Sequence, residues 1–412
     1  MPENEQASRP TTSPGVPESD TEPRAFGGLS RNVVVLSVVS FLTDMHSEML
    51  LPLLPGFYER VLHLNKTAIG IIEGIAEANA SLLKMVSGWW SDAVGRRKPF
   101  VVAGYTLSAA SKPFLAFATS GLHAIAVRFA DRTGKGLRTS PRDALIADSS
   151  TQAQRGKAYG FHRMMDTGGA IMGTLLAYGM FRLLAQDYRK VFLWATIPGV
   201  IAIAVLVAGV REVAPRKRTE RKAPSLRGLT RPFKVLLCAH TLFSLGNFSY
   251  AFFLLRAQEL GVAPALAPLI YLAYNIVYAA CAYPVGSLSD RTGGRVGLVV
   301  AYGTYAATCA GLAVSHHSVY AWLLFALYGV HSAVVETVAR SVASQSVEPE
   351  RRGAGLGLFH MLLGLAAFPA SLFAGLLGDR VSPVTPFVLG AALALAAAGV
   401  VWVGLPARLK AS

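Results

Sequence analysis

Hydrophobic residues in this chain are gathered into long runs, and polar positions fall mostly in the short gaps between them. Val191 to Val210 carries no charge, Val235 to Leu255 has His240 as its one basic side chain, and Val381 to Ala407 is again uncharged. About 20 apolar residues in a helix cross the ~30 Å hydrocarbon core of a bilayer, so each run predicts a membrane span. Extending the pattern outwards gives twelve, at residues 33–55, 68–90, 99–118, 121–146, 157–183, 191–210, 234–255, 264–286, 296–315, 319–345, 354–377 and 383–405. The expected fold class is an all-α membrane protein with twelve transmembrane helices.

Composition agrees with this. The 412 residues are 52% hydrophobic and 15% charged, against about 25% charged for a soluble protein, and mean hydropathy is +0.42. Three cysteines exclude a disulfide-stapled secreted module. Residues 1–32 are rich in Pro, Ser, Thr and Glu without an apolar stretch, which predicts a disordered tail and no signal peptide. A net charge of +15 would point to nucleic acid in a soluble chain. Here the basic residues lie in the connections. With the tail inside, that face collects twenty-three Lys and Arg against six on the other, which places both termini in the cytoplasm of an inner or plasma membrane protein. The lipid bilayer is then a partner and nucleic acid is not.

The longest polar connection, residues 211–233, divides the chain into six-helix bundles at 33–210 and 234–405, followed by a short tail at 406–412. The halves echo each other. Gly88, Ser91, Asp92, Gly95 and Arg97 reappear 198 positions later as Gly286, Ser289, Asp290, Gly293 and Arg295, and the same displacement carries Thr139 to Thr337, Arg142 to Arg340 and His162 to His360. Six spans per half makes these parallel repeats, an arrangement that puts a cavity near the midplane of the membrane.

On these residues the chain resembles the major facilitator superfamily. Gly88, Ser91, Asp92, Gly95, Arg96, Arg97 and Lys98 match that family's loop signature between spans two and three, and Gly286, Asp290, Gly293 and Arg295 match its degenerate copy. The stretch from Arg128 to Gly136 is similar to the fourth-span signature, whose arginine the resemblance implicates in proton coupling. Gly160, Gly169 and Gly173 follow the fifth-span spacing of the family's exporters, with Thr174 where proline is usual and Ala177 and Tyr178 in place of a glycine pair. The resemblance implies two pseudo-symmetric bundles that rock about a central site, with the loop signature acting as a gate.

An ionisable side chain at bilayer depth costs about 2.5–3.5 kcal/mol on insertion scales, so each one is paired or faces a wet cavity. Asp44 and Glu48 share a face of span one, and Glu73 and Glu77 share a face of span two, with Lys84 seven positions on. Arg128, Asp131, Lys135, Arg138 and Arg142 form one stripe on span four, and Arg132 stands beside it. Asp44, Glu48, Glu73, Glu77, Arg128 and Asp131 are the proton-coupling candidates, because desolvation and a nearby guanidinium shift a carboxyl group in opposite senses. Static pairing is the other reading: Asp131 with Arg128 or Lys135, and Asp166 with Arg138 or Arg142. The stripe also suits an anionic solute, since arginine presents a planar fork to an oxyanion.

The second half offers a different surface. Tyr271, Tyr274, Asn275 and Tyr278 line one face of span eight, span seven adds Asn247 and Tyr250, and span ten adds His331 and the pair Glu336 and Arg340. With Arg132, Lys135, Arg138, Arg142, His162, Asp166 and His360 these are the cavity candidates. They read as a wall for an amphipathic molecule or as ordinary helix packing. Met45, His46, Met49, Met164, Met165 and Met361 could serve a soft metal cargo. Cys238, Cys281 and Cys309 read as packing residues, and no catalytic or metal-site motif occurs.

The sequence therefore predicts a monomeric, non-enzymatic transporter driven by a proton gradient, without a cofactor, exporting a small organic compound by antiport. Symport of a small anion or metal chelate is the alternative, and a membrane sensor on the same scaffold is the rival of another class.

Overall fold

The computed structural model describes residues 28–151, 154–213, 230–292, 294–347 and 352–406, and all its regular elements are helical. In the first half these are α1 (Arg31–Glu48), α2 (Leu54–Arg60), α3 (Lys66–Val94), α4 (Lys98–Ser111), α5 (Gly121–Asp148), α6 (Arg155–Leu183), α7 (Tyr188–Trp194) and α8 (Thr196–Gly209). The second half has α9 (Arg231–Gly246), α10 (Tyr250–Glu259), α11 (Ala267–Thr292), α12 (Gly294–Val314), α13 (Ser318–Gln345), α14 (Arg352–Arg380) and α15 (Thr385–Gly404). The N-terminal tail, most of the linker and the last six residues lie outside the described residues, as does Gly293; the surroundings of Gly286 and the side chain of Asp290 do too.

Each of the twelve predicted spans coincides with a helix or a broken helix. Span one is α1 and α2, span six is α7 and α8, span seven is α9 and α10, and span three is α4 continued by a 3-10 turn over Lys112–Phe117. Among the described residues eight of these are both long and apolar enough to cross a membrane. The other four, α1, α3, α5 and α6, carry most of the intramembrane charges, while Lys112 in span three and Glu336 and Arg340 in α13 are exceptions among the eight. Caps fix many of the starts: Ser30, Asn65, Ser120 and Thr230 accept backbone N–H bonds at α1, α3, α5 and α9. Gly95, at φ +70°, closes α3 in the left-handed region.

The repeat is carried into the fold. Contacts of α1 with α6 and α8, of α3 with α5, and of α4 with α5 and α8 recur as α9 with α14 and α15, α11 with α13, and α12 with α13 and α15. The break of span seven after Gly246 sits 198 positions beyond the break of span one after Glu48. One apolar core fills the second bundle around Phe243, Phe253, Tyr302 and Tyr305, and a smaller one fills the end of the first bundle that bears the termini, around Leu36, Tyr105 and Leu206. A third core straddles the halves at the opposite end, where Met49, Leu54 and Phe57 meet Ala251, Leu255 and Ala265.

Two of the glycines of span five, Gly169 and Gly173, mark a close crossing, whereas a Cβ on Gly160 would meet nothing within 4 Å. A Cβ on Gly173 would lie 2.8 Å from the Cα of Met45, and one on Gly169 would lie 2.9 Å from the Cα of Phe41, so α6 rests directly on the backbone of α1. Gly173→Leu is expected to force the two helices apart at a cost of about 1–3 kcal/mol, seen as a lower midpoint of thermal unfolding in detergent. An unchanged midpoint would mean that the crossing gives way freely.

Candidate functional site

Between the bundles lies a cavity of about 630 Å³, reaching from Leu51, Tyr250 and Ser371 to Lys84, Arg340 and Phe359. Its far end, opposite the termini, is sealed by polar contacts between the halves. Lys66 Nζ is 2.5 Å from Glu259 Oε1, Arg60 Nη2 donates to Gln258 at 3.2 Å, and the Tyr250 hydroxyl donates to the Leu51 carbonyl at 3.1 Å. Asp379, at the end of α14, accepts from Lys66 N at 3.0 Å, Thr67 N at 2.7 Å and Thr67 Oγ1 at 2.6 Å, so its carboxylate clasps the first turn of α3. Deeper toward the termini, the polar contacts between halves among the described residues are those of Arg163. It donates to the Tyr278 hydroxyl at 2.5 Å and stands 4.0 Å from Glu336.

The first bundle supplies the charged wall. Arg128 holds Glu73 at both oxygens, through Nε at 3.1 Å and Nη2 at 2.7 Å, and reaches Asp131 through Nη1 at 3.3 Å. Asp131 also meets Lys112 Nζ at 2.7 Å and accepts from Ser108 Oγ at 2.6 Å. These groups are almost wholly buried, where breaking a pair costs far more than at a surface. Glu48, Glu77, Lys84, Arg132 and Lys135 line the cavity without an ion pair among the described residues. A chamber of about 100 Å³ adjoins it within the first bundle, lined by Asp44, Asp131, Lys112, Arg128 and Arg138 and sharing Glu48, Arg132 and Lys135 with it. Glu48 Oε2, Arg132 Nε and two nitrogens of Arg138 are buried there without a hydrogen-bond partner. The chamber is roomy enough for a few waters.

The second bundle supplies an aromatic wall. Tyr271 and Tyr274 stack at 5.7 Å, Tyr274 and Tyr328 at 5.0 Å, and Tyr250 leans on Tyr271 at 5.5 Å. Asn247, His240, His360 and Phe359 complete it, with Glu336 joined to Arg340 at 2.8 Å and accepting from the Tyr278 hydroxyl. Tyr278 itself serves the contact between halves.

Several predicted site residues lie off the cavity lining. Arg142 pairs with Asp143 and reaches Ser40, and Arg138 stacks over Tyr105 at 4.1 Å. His162 is 3.7 Å from Asp166, and Asp166 makes no ion pair with Arg138 or Arg142, the partners suggested by spacing, among the described residues. His331 is buried with Nδ1 2.7 Å from the Ala301 carbonyl, and Asn275 Nδ2 is buried without a hydrogen-bond partner. His46 bonds the Ala195 carbonyl inside the first bundle. Among the described residues no three His, Cys, Asp or Glu side chains gather as a metal would need. No sequence pattern singles out Asp379, Arg163 or Tyr328; Lys112 is marked only as a lone lysine in an apolar span.

In the loop signature Arg97 is buried and joins Asp92 at 3.2 Å to Asp148 at 2.9 Å, tying the ends of α3 and α5. Glu212, just after α8, accepts from the backbone nitrogens of Arg97 at 2.9 Å and Lys98 at 3.0 Å. Gly88 lies against Ser140 of α5, Ser91 bonds the Gly88 carbonyl, and Arg96 is exposed. In the copy, Arg295 stacks over Trp402 at 4.5 Å.

The family model of the Major Facilitator Superfamily matches residues 36–255 and 236–412. An uncharacterized MFS-type transporter of Methanocaldococcus jannaschii is 35% identical over 375 residues, covering 89% of this chain and 93% of the relative. The multidrug resistance protein MdtH of Aeromonas salmonicida is 24% identical over 76% of this chain and 78% of its own. Among solved structures, a bacterial homolog of the human lysosomal transporter Spinster, inward-facing and occupied, superposes with a TM-score of 0.72 at 16% identity, over 90% of this chain and 96% of that one. A variant of the nucleoside transporter NupG reaches 0.78 at 13% identity, over 91% and 100%. A match of that extent, on a fold of that kind, makes this chain a membrane transporter of the Major Facilitator Superfamily.

Proposed function

We propose that the chain is a proton-coupled secondary transporter of the cell membrane, working as a monomer by alternating access and carrying a small organic compound. The observation that supports this best is the pair of carboxylates, Glu48 and Glu77, standing without ion pairs on a cavity closed at one face. A carboxylate locked in a two-point arginine pair, as Glu73 is, has little freedom to exchange protons; one without a direct ion pair beside a wet pocket has more. With both termini in the cytoplasm, as the distribution of basic residues suggests, this is the conformation turned inward.

Export in exchange for protons is supported by the glycines of α6 and by the likeness to MdtH proteins. Entry of an anion together with protons is the second reading, favoured by Arg132 and Lys135 on the cavity wall. A sensor would bind its solute without moving it, so flux into liposomes separates that rival from both. In proteoliposomes with an imposed pH gradient, the Glu48→Gln/Glu77→Gln double variant is expected to lose uphill accumulation by about tenfold or more, as when a coupling free energy of ~1.4 kcal/mol is removed. Downhill exchange should persist. Uphill accumulation at the unaltered rate would remove these two residues from proton coupling.

A further inference from the structure

The charges around the cavity separate into those the protein has already neutralised and those it has not. Glu73, Asp131 and Glu336 are engaged by Arg128, Lys112 and Arg340. Lys84, Arg132 and Lys135 remain, against Glu48 and Glu77, while Asp44 and Arg138 of the adjoining chamber offset each other. The balance is positive by one when both carboxylates are ionised, and it grows if either takes up a proton. Arg132 is only 7% exposed, and its Nε has no hydrogen-bond partner. A buried guanidinium donor with nothing to bond is costly, and an oxyanion is the group whose geometry matches it.

Across the cavity stands a wall of a different kind. Tyr271, Tyr274 and Tyr328 form a stacked series, and a flat apolar body fits such a surface. The volume of about 630 Å³ falls in the range of pockets for drug-sized molecules.

We propose that the cargo is an aromatic oxyanion, with its charged head held by Arg132 and Lys135 and its ring laid against Tyr271 and Tyr274. This rests on the transporter reading and names its substrate class. It also bears on coupling. Glu48 faces Asp44, Lys112, Arg132, Lys135 and Tyr271, and Glu77 faces Lys84, Arg128, Arg132 and Lys135; His240 and His360 look into the same space from α9 and α14. Protonating either carboxylate removes a negative charge beside the anion site, so the anion binds more tightly as pH falls. By reciprocity the bound anion raises the carboxylates' hold on protons. Proton and cargo then favour travel in the same direction, which is the second of the two directions above.

The test uses the full-length chain in detergent and in liposomes, with 2-naphthoate, 2-naphthalenesulfonate, 2-naphthamide, 2-naphthylmethylamine and cyclohexanecarboxylate as probes. Expected are thermal stabilisation by the two naphthyl oxyanions, stronger at lower pH, and none by the amide or the amine. Arg132→Gln should weaken naphthoate about tenfold or more, while Arg132→Lys, which keeps the charge but not the planar fork, retains only part of the binding. Tyr274→Ala should erase the preference for naphthoate over cyclohexanecarboxylate. Preference for the amine or the amide, failure of both oxyanions to bind, or tight naphthoate binding in Arg132→Gln overturns the proposal. Naphthoate that binds as described but never crosses the liposome membrane upholds the ligand class and overturns the transporter reading alone.

Discussion

Arg128→Leu is expected to cost this protein about 3–5 kcal/mol of stability, the penalty for breaking a buried ion pair by removing one partner. The arginine is almost fully buried and serves two carboxylates, Glu73 through two parallel bonds and Asp131 through a third. Its loss leaves Glu73 without its ion-pair partner on the cavity wall and Asp131 dependent on Lys112. Thermal unfolding in detergent, with the fraction eluting as folded protein, reads the loss. Because the residue is also a candidate for proton coupling, a second variant separates the roles. Glu73→Gln/Arg128→Gln removes both members of the stronger pair and should recover a large part of the stability. Were the single variant to lose less than about 1 kcal/mol, the carboxylates would have found water or protons in its place.

The second large effect is conformational. Asp379→Ala deletes a carboxylate that accepts three hydrogen bonds from α3, two of them from backbone nitrogens. Hydrogen bonds to a charged group contribute about 1.5–3 kcal/mol each when well formed, and water recovers part of that at this exposed edge. A net shift of about 2 kcal/mol changes the ratio of closed to open far face about thirtyfold. Lys66→Ala, which removes only a partly exposed pair with Glu259, should shift it by less than about fivefold. Spin labels at Leu122 and Val381, on opposite halves of that face, would report a longer separation in Asp379→Ala. If the distance distribution stays as in the unaltered chain while the first turn of α3 frays, Asp379 is a helix cap and nothing more.

The parts of the molecule written plainly in the sequence are those set by one helix at a time. Twenty apolar residues suffice to announce a span, and a repeat at 198 positions announced the symmetry. That repeat also contains the paired breaks after Glu48 and Gly246, although no residue pattern there marks them as breaks. What stayed hidden involves two helices. Glu73 and Arg128 were each conspicuous, but no spacing rule links residues 55 apart on different spans. Lys112 and Asp131 are the same case, and Asp379 looked like an ordinary end of a span. Apolar helices also conceal which side faces inward. His331 is buried and Asn275 half-buried, and neither lines the cavity, although Asn275 shares a helix face with Tyr271, Tyr274 and Tyr278.

The interruption of span seven has one more effect. The ten-residue α10 begins at the cavity, since its cap Ser249 and first residue Tyr250 both line it. Its peptide dipoles therefore present roughly half a positive charge to the pocket. That partial charge belongs to the backbone, so no proton can remove it and no side-chain substitution can erase it. The potential inside the pocket thus has a positive component that does not depend on the protonation state of any side chain.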